Sequence, residues 1–348
     1  MDEEHKILES MVSDFVQREV SPVSKAIETQ GIPQELLSKM ARQGLIGATV
    51  PQDLGGSDLD RLGYVILLKQ IAMESPSLAF LILMENSYVM RVLEKAESGN
   101  DIIKKIAAGS ETGTVTIPTM LGIAGMGSLE AKAGRISGTI YGILNPSARI
   151  HVVCISPDSF YVVDGGYKVS SFLEQLGFRG MKFSSVSYDF DVASSIHVEH
   201  RAKDLLEDSA IGIAAIAIGI SYGALNRAIS YSGERKAFGH YLREFQPVAF
   251  TLASHYMDLD ITNEYLMSLA SGPKDAFHEN FIKAKALDLA ISISRSAIQI
   301  HGGYGYFVDF GVERFYRDAM FLKNISGDHM RDMERLSDLI FGETVKRI

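Results

Sequence analysis

The chain has 348 residues, with 34 Lys+Arg against 43 Asp+Glu, a formal net charge of -9, and one cysteine, Cys154. At roughly 100–200 residues per domain that length holds two or three domains, and 46 % hydrophobic with 22 % charged residues is a globular composition, not a disordered one. The acidic balance, without a Lys/Arg cluster to neutralise phosphates, argues against nucleic-acid binding, and a lone cysteine excludes a disulfide framework or a CxxC metal site.

The opening residues MDEEHKILES are charged and lack an apolar core of the signal-peptide kind, so a cytoplasmic protein is expected. Ile7, Met11 and Phe15, with Leu8 and Val12, recur at helical spacing. Gly31-Ile32-Pro33 breaks that helix, and a second runs over Gln34–Gln43 with Gly44 as its stop. Val50 to Ser57 forms a turn-rich loop, and two apolar helices follow over 62–74 and 78–95, separated by Ser75-Pro76-Ser77. Near Gly113 the texture changes to Thr, Val, Ile, Tyr and Gly, with short strands between turn residues as far as Val198. From Arg201 helical periodicity returns and continues to the C-terminus, interrupted at Ser271-Gly272-Pro273 and Gly302–Gly305. The order is α, then β, then α. An N-terminal helical domain over 1–112, a small middle β-domain (barrel or sandwich) over 113–198 and a C-terminal helical bundle over 199–348 are expected. The apolar run Ala210–Leu225 is too short to span a bilayer and reads as a buried core helix. His197-Val198-Glu199-His200 lacks a third ligand and reads as a surface linker, and Cys154 as a buried strand residue.

Four segments carry a resemblance in the same order. Val50-Pro51 with Gly55-Gly56 is similar to a VPxxxGG loop, and Arg235 to Gly239 with Phe245-Gln246 is similar to an RxxFG…Q segment. Gln299 to Tyr306 is similar to a QxxGGxGY loop, and Arg314 with Arg317-Asp318-Ala319 to an ER..RDA stretch. Together they resemble the acyl-CoA dehydrogenase family, over nearly the whole chain. The resemblance implies an N-terminal helical domain, a middle β-domain and a C-terminal four-helix bundle, assembled as a dimer of dimers. It also implies non-covalent FAD and oxidation of an acyl-CoA thioester to the 2,3-enoyl form. In that chemistry a carboxylate takes the α-proton while the β-hydrogen leaves as hydride to the flavin. By resemblance, Arg235 meets the pyrophosphate of a neighbouring subunit's FAD, since a guanidinium suits paired phosphate oxygens. Phe238 and Gln246 would line the same cofactor, and Gln299, Gly302 and Gly303 would approach the dinucleotide closely. The plainer alternative is that Arg235 is a solvated helix charge and the glycines close a turn.

The chain departs from the family's pattern in definite places. Counted from Arg317-Asp318-Ala319, Ser326 stands where the family's catalytic Glu would be, and Ser209 stands at the alternative base position on an earlier helix. A serine hydroxyl cannot take a proton near neutrality as a carboxylate does. Asp328 is the nearest carboxylate, although Ser326 or Asp328 also suits the N-cap of the final helix. In the β-domain, Thr116-Ile117-Pro118 stands for Thr-Glu-Pro and Gly142-Ile143-Leu144 for Trp-Ile-Thr, in a chain with no tryptophan. Two functions follow as expectations. One is a flavoprotein that dehydrogenates an acyl-CoA at FAD with an unconventional base. The other is a non-catalytic partner subunit of a heteromeric acyl-CoA dehydrogenase, completing the FAD site of a paralogue.

Overall fold

Asp2 opens the first helix by accepting the backbone N–H of His5 (3.0 Å), and Glu3 and Glu4 fill the first turn, where carboxylates offset the helix dipole. The computed structural model describes residues 2–121, 126–326 and 329–342. In chain order the elements are α1 (Glu3–Phe15), α2 (Ser24–Gln30), α3 (Gln34–Arg42), α4 (Arg61–Ala72), α5 (Pro76–Leu83), α6 (Met90–Leu93), α7 (Asn100–Ala107), β1 (Gly113–Val115) and α8 (Ile117–Met120). Then come β2 (Gly127–Lys132), β3 (Arg135–Leu144), β4 (Ile150–Ser156), β5 (Ser159–Val163), β6 (Tyr167–Val169), β7 (Phe183–Asp191), β8 (Ile196–Glu199) and α9 (Ala202–Asp208). The chain continues through α10 (Ala210–Glu234), β9 (Lys236–Ala237), β10 (His240–Tyr241), α11 (Gln246–Ser271), α12 (Ala276–His301), α13 (Glu313–Ile325) and α14 (His329–Phe341). Helices first, sheets in the middle and long helices last is the expected architecture. The helix expected over 78–95 is not continuous, because a π-helical segment at Met84–Val89 separates α5 from α6.

The chain folds into two compact units that interleave in sequence. A helical unit comprises Met1–Lys25, Arg61–Ala79 and Ala210–Ile348; a sheet-bearing unit comprises Ala26–Asp60 and Phe80–Ser209. In the helical unit α10 is the axis, packed by α4, α11, α12 and α13. Its residues Ala210–Ser221 are all buried, and although one helical stretch has the length and apolarity to cross a membrane, 89 % of its most apolar window is buried. Gly219 and Gly223 let this helix lie close to its neighbours: a Cβ at Gly219 would collide with the Lys69 carbonyl, and one at Gly223 with the Phe315 ring. Glu74, just after α4, accepts from Arg227 (2.7 Å) and lies 3.6 Å from the Arg314 guanidinium. Arg314, part of the ER..RDA motif, is therefore a buried structural cation.

The sheet-bearing unit holds two four-stranded sheets, ordered β1-β4-β5-β8, with β1 parallel to β4, and β2-β3-β7-β6, antiparallel throughout. Alternating strand residues such as Ile136, Ile140, Val153, Val186 and Tyr188 form the core between them. Inside it, His151 pairs Nδ1 with the Tyr188 hydroxyl (3.0 Å) and Nε2 with the Ala148 carbonyl (3.1 Å). Burial lowers the His151 pKa to about 4, so the ring is neutral.

Candidate functional site

In the helical unit the ends of α10 and α12 form a groove. Arg235 follows α10, its N–H donating to the Tyr231 carbonyl (2.9 Å) and its own carbonyl accepting from Leu242 N–H (2.9 Å). Between those anchors β9 and β10 pair antiparallel around Phe238-Gly239, both at positive φ (+52° and +87°), as a two-residue hairpin turn requires. The backbone at Arg235 is thereby held from both sides. Across from it α12 ends at His301, and the chain turns through Gly302 at φ +57° into a 3₁₀ segment, Gly302–Tyr306. The groove has a volume of about 390 Å³. Tyr231 stacks on His301 with centroids 4.3 Å apart, and the Arg235 guanidinium lies 5.5 Å from the Tyr304 ring centre.

Arg235, Gly302 and Gly303 meet in this groove. Phe238 does not line it; it sits at the hairpin tip, 96 % exposed. Gln246, the first residue of α11, and Gln299, in the last turn of α12, are exposed and also outside it. Six residues without a role in the sequence reading do line it: Leu242 and Ile300, and the rings of Tyr231, His301, Tyr304 and Phe307. Tyr231 was findable, because four residues before Arg235 puts it on the same helix face. A Cβ built on Gly302 or Gly303 meets nothing within 4 Å. At Gly303 no packing or positive φ demands glycine, so the groove offers bare backbone beside a fixed guanidinium, which fits a diphosphate. Gly303→Ala is expected to leave stability within about 0.5 kcal/mol while weakening FAD binding about tenfold. Urea unfolding of the chain and FAD titration of its complex with a catalytic paralogue check it, and unchanged binding would mean that no ligand approaches this backbone.

The two serines that the resemblance sets at base positions do not line this groove. Ser209 is fully buried, accepts from the Tyr88 hydroxyl (2.8 Å) and donates to the Leu206 carbonyl (2.9 Å). Burial pushes the Tyr88 hydroxyl up to about 12. Ser326 is buried at the C-terminal end of α13, its hydroxyl directed back at the Lys323 carbonyl (3.4 Å). It is the C-cap of α13, and the residues just before α14, residue 327 and Asp328, lie outside the described residues. On the π-helical segment, Glu85 accepts the Gly113 N–H at Oε1 (2.7 Å), and its Oε2 has no partner among the described residues. Burial raises this carboxyl to about 8. His197 is bonded to Ser159 (2.9 Å) and stacked on Tyr161.

Gly142, where the resemblance puts a flavin-facing tryptophan, lies at an irregularity in the β3–β7 pairing with φ +81°. A Cβ there would lie 2.6 Å from the Met126 methyl and 3.1 Å from the Phe183 ring. The space of the missing side chain is filled by the chain itself. Leu144 is buried and its carbonyl accepts from Thr114 (2.6 Å), and the chain turns into α8 immediately after Thr116. This face does not fit a flavin ring in the arrangement the resemblance implies, whereas Arg235 beside Gly302 and Gly303 suits a diphosphate.

Two family models match the chain: Acyl-CoA dehydrogenase, N-terminal domain, over residues 2–110, and Acyl-CoA dehydrogenase, C-terminal domain, over 200–336. The chain is 29 % identical over 358 residues to the caffeyl-CoA reductase-Etf complex subunit CarC of Acetobacterium woodii, covering 91 % of this chain and 93 % of that protein. It is 28 % identical over 355 residues to the mitochondrial short-chain specific acyl-CoA dehydrogenase of Homo sapiens, covering 91 % and 85 %. Among solved structures, butyryl-CoA dehydrogenase from Megasphaera elsdenii superposes with a TM-score of 0.85 at 20 % identity, over 98 % of this chain and 99 % of that one. Glutaryl-CoA dehydrogenase from Mycobacterium smegmatis in complex with FADH2 gives 0.89 at 16 % identity, over 100 % and 97 %.

Proposed function

Because this chain belongs to the acyl-CoA dehydrogenase family, whose homologues are FAD-dependent oxidoreductases, we propose that it is the non-catalytic partner subunit of a heteromeric acyl-CoA flavoenzyme. It would complete the FAD site of a catalytic paralogue. One observation carries this reading: the serines that the resemblance sets at the two base positions are buried with hydroxyls pointing at backbone carbonyls, Ser209 at Leu206 and Ser326 at Lys323. The closed surface at Gly142 supports it, as does the similarity to a subunit of a reductase–Etf complex. FAD, when bound in the assembly, supplies the hydride acceptor. This chain's part is binding: Arg235 neutralises the diphosphate, and Gly302 and Gly303 let it approach the backbone. The second reading is an acyl-CoA dehydrogenase acting alone, favoured by the similarity to the short-chain enzyme. It requires a base other than the two serines.

The visible spectrum of the chain purified alone, and again after co-expression with a glutamate-bearing paralogue, separates the readings. A colourless chain that gains a flavin band only in the complex is expected. A yellow chain, bleached by acyl-CoA thioesters without a partner, would overturn the proposal.

A further inference from the structure

One carboxyl in the sheet-bearing unit is buried with half of its bonding unmet. Glu85 lies on the π-helical segment Met84–Val89 and is 1 % exposed. Its Oε1 accepts the Gly113 N–H (2.7 Å), and its Oε2 has no partner among the described residues. Gly113 opens β1, an edge strand paired on one side with β4, so Glu85 covers a backbone donor that the sheet leaves over. Packing there is tight: a Cβ at Gly113 would lie 2.6 Å from a Val89 methyl and 3.0 Å from Glu85 Oε2. The segment's other polar ties are neutral. Asn86 donates to the Ile46 and Ile82 carbonyls (2.7 and 2.8 Å), and the Tyr88 hydroxyl donates to Ser209 (2.8 Å).

We propose that Glu85 is a proton-operated latch between the π-helical segment and β1, held closed by the neutral carboxyl and opened when its proton is lost. With the proton on Oε2 the buried side chain carries no charge, and its one bond holds Gly113. Without it, Oε2 is an anion facing neither water nor a donor, and hydration relieves that cost only if segment and strand part. The π-helical turn carries an extra residue, a geometry frequent at functional sites. The charges on the elements packed against the segment are engaged elsewhere. β1 and α5 have no titratable side chain, and the segment's other titratable group is Tyr88. On α6, Arg91 is exposed and pairs with Glu94 (3.0 Å). On α9, Asp204 pairs with Arg201 (2.8 Å) and Lys203 with Glu207 (3.6 Å), and Asp208 completes the set. Burial, opposed by the Gly113 bond and by none of these charges, raises the Glu85 carboxyl from 4.5 to about 8.

The Gly113 N–H points at Glu85, so its exchange with solvent reports the latch. Native-state hydrogen exchange of the full chain, resolved at Gly113 by mass spectrometry, tests it between about pH 5 and 7.5 in urea below the unfolding transition. Corrected for base catalysis, protection of this amide is expected to fall about tenfold per pH unit, as one proton released on opening requires. It should be indifferent to urea, because a local opening exposes little surface. The β3–β7 amides should exchange more slowly and with the steep urea dependence of global unfolding. Glu85→Gln should make protection at Gly113 independent of pH; a slope that persists in the variant would assign the proton to another group and overturn the proposal. A urea dependence at Gly113 equal to that of β3–β7 would also overturn it, because the contact would then open only when the whole unit unfolds. So would protection at Gly113 that ignores pH in the unaltered chain. These last two results are read without any substitution, so the test stands even where Glu85→Gln fails to fold.

Discussion

Glu85→Gln should remove a contribution to stability that falls by the order of 4 kcal/mol as the pH rises from 4.5 to 8. The carboxyl has an ordinary value of 4.5 and, buried in the π-helical segment with one hydrogen bond to Gly113, a folded-state value of about 8. Between those values the folded chain holds a proton that the unfolded chain releases, so raising the pH favours unfolding. Above 8 both states are ionised and the dependence from this group ends. His151 works in the opposite sense: its ordinary value of 6.5 falls to about 4 in the folded core, so stability is lost as the pH drops from 6.5 to 4. From these two groups the profile is level between 4.5 and 6.5, falls towards 8, and falls again below 4.5. Urea unfolding across pH 4–9 measures it. In Glu85→Gln the alkaline fall should vanish and the acid fall remain; a level alkaline limb in the unaltered protein would refute the argument.

Glu74→Ala is expected to cost about 3–5 kcal/mol, because it removes the counter-ion of a buried charge. Arg314 is almost fully buried and Arg227 partly so, and both face Glu74 from different helices of the same unit. With the carboxylate gone, Arg227 and Arg314 lose the counter-ion they share and α13 loses its tie to the end of α4. Adding Arg314→Met to Glu74→Ala should recover roughly half of the loss, since an apolar side chain of similar length needs no partner. Equilibrium unfolding of the single and double variants provides the test, and no recovery in the double variant would mean that the loss comes from packing rather than charge.

Much of the fold is legible in the residues. Three- and four-residue spacing marks the helices, Gly31-Ile32-Pro33 and Ser271-Gly272-Pro273 mark real interruptions, and the Thr/Val/Ile texture brackets the strands. The π-helical segment at Met84–Val89 is not legible, because local periodicity hardly changes when one residue is inserted into a turn. At the candidate site, Arg235, Gly302 and Gly303 from two motifs meet in one groove while Phe238, Gln246 and Gln299 lie outside it, since adjacency in a motif does not fix side-chain direction. Tyr231 and His301 belong to the groove through their helix faces, which only the packed α10–α12 pair reveals. The closed surface at Gly142 depends on Met126 and Phe183, 16 and 41 residues away along the chain, and no local pattern reports such a contact.

The interleaving of the two units sets an order of events during synthesis. All of the sheet-bearing unit is encoded by residue 209, while the helical unit still lacks α10, its axis. As the chain emerges, the sheets can close first, and α1 and α4 wait without α10 until the last two-fifths of the chain arrives. That waiting surface is open to association with other chains. A ribosome pausing after codon 209 would prolong it, whereas swift translation of α10–α13 would shorten it.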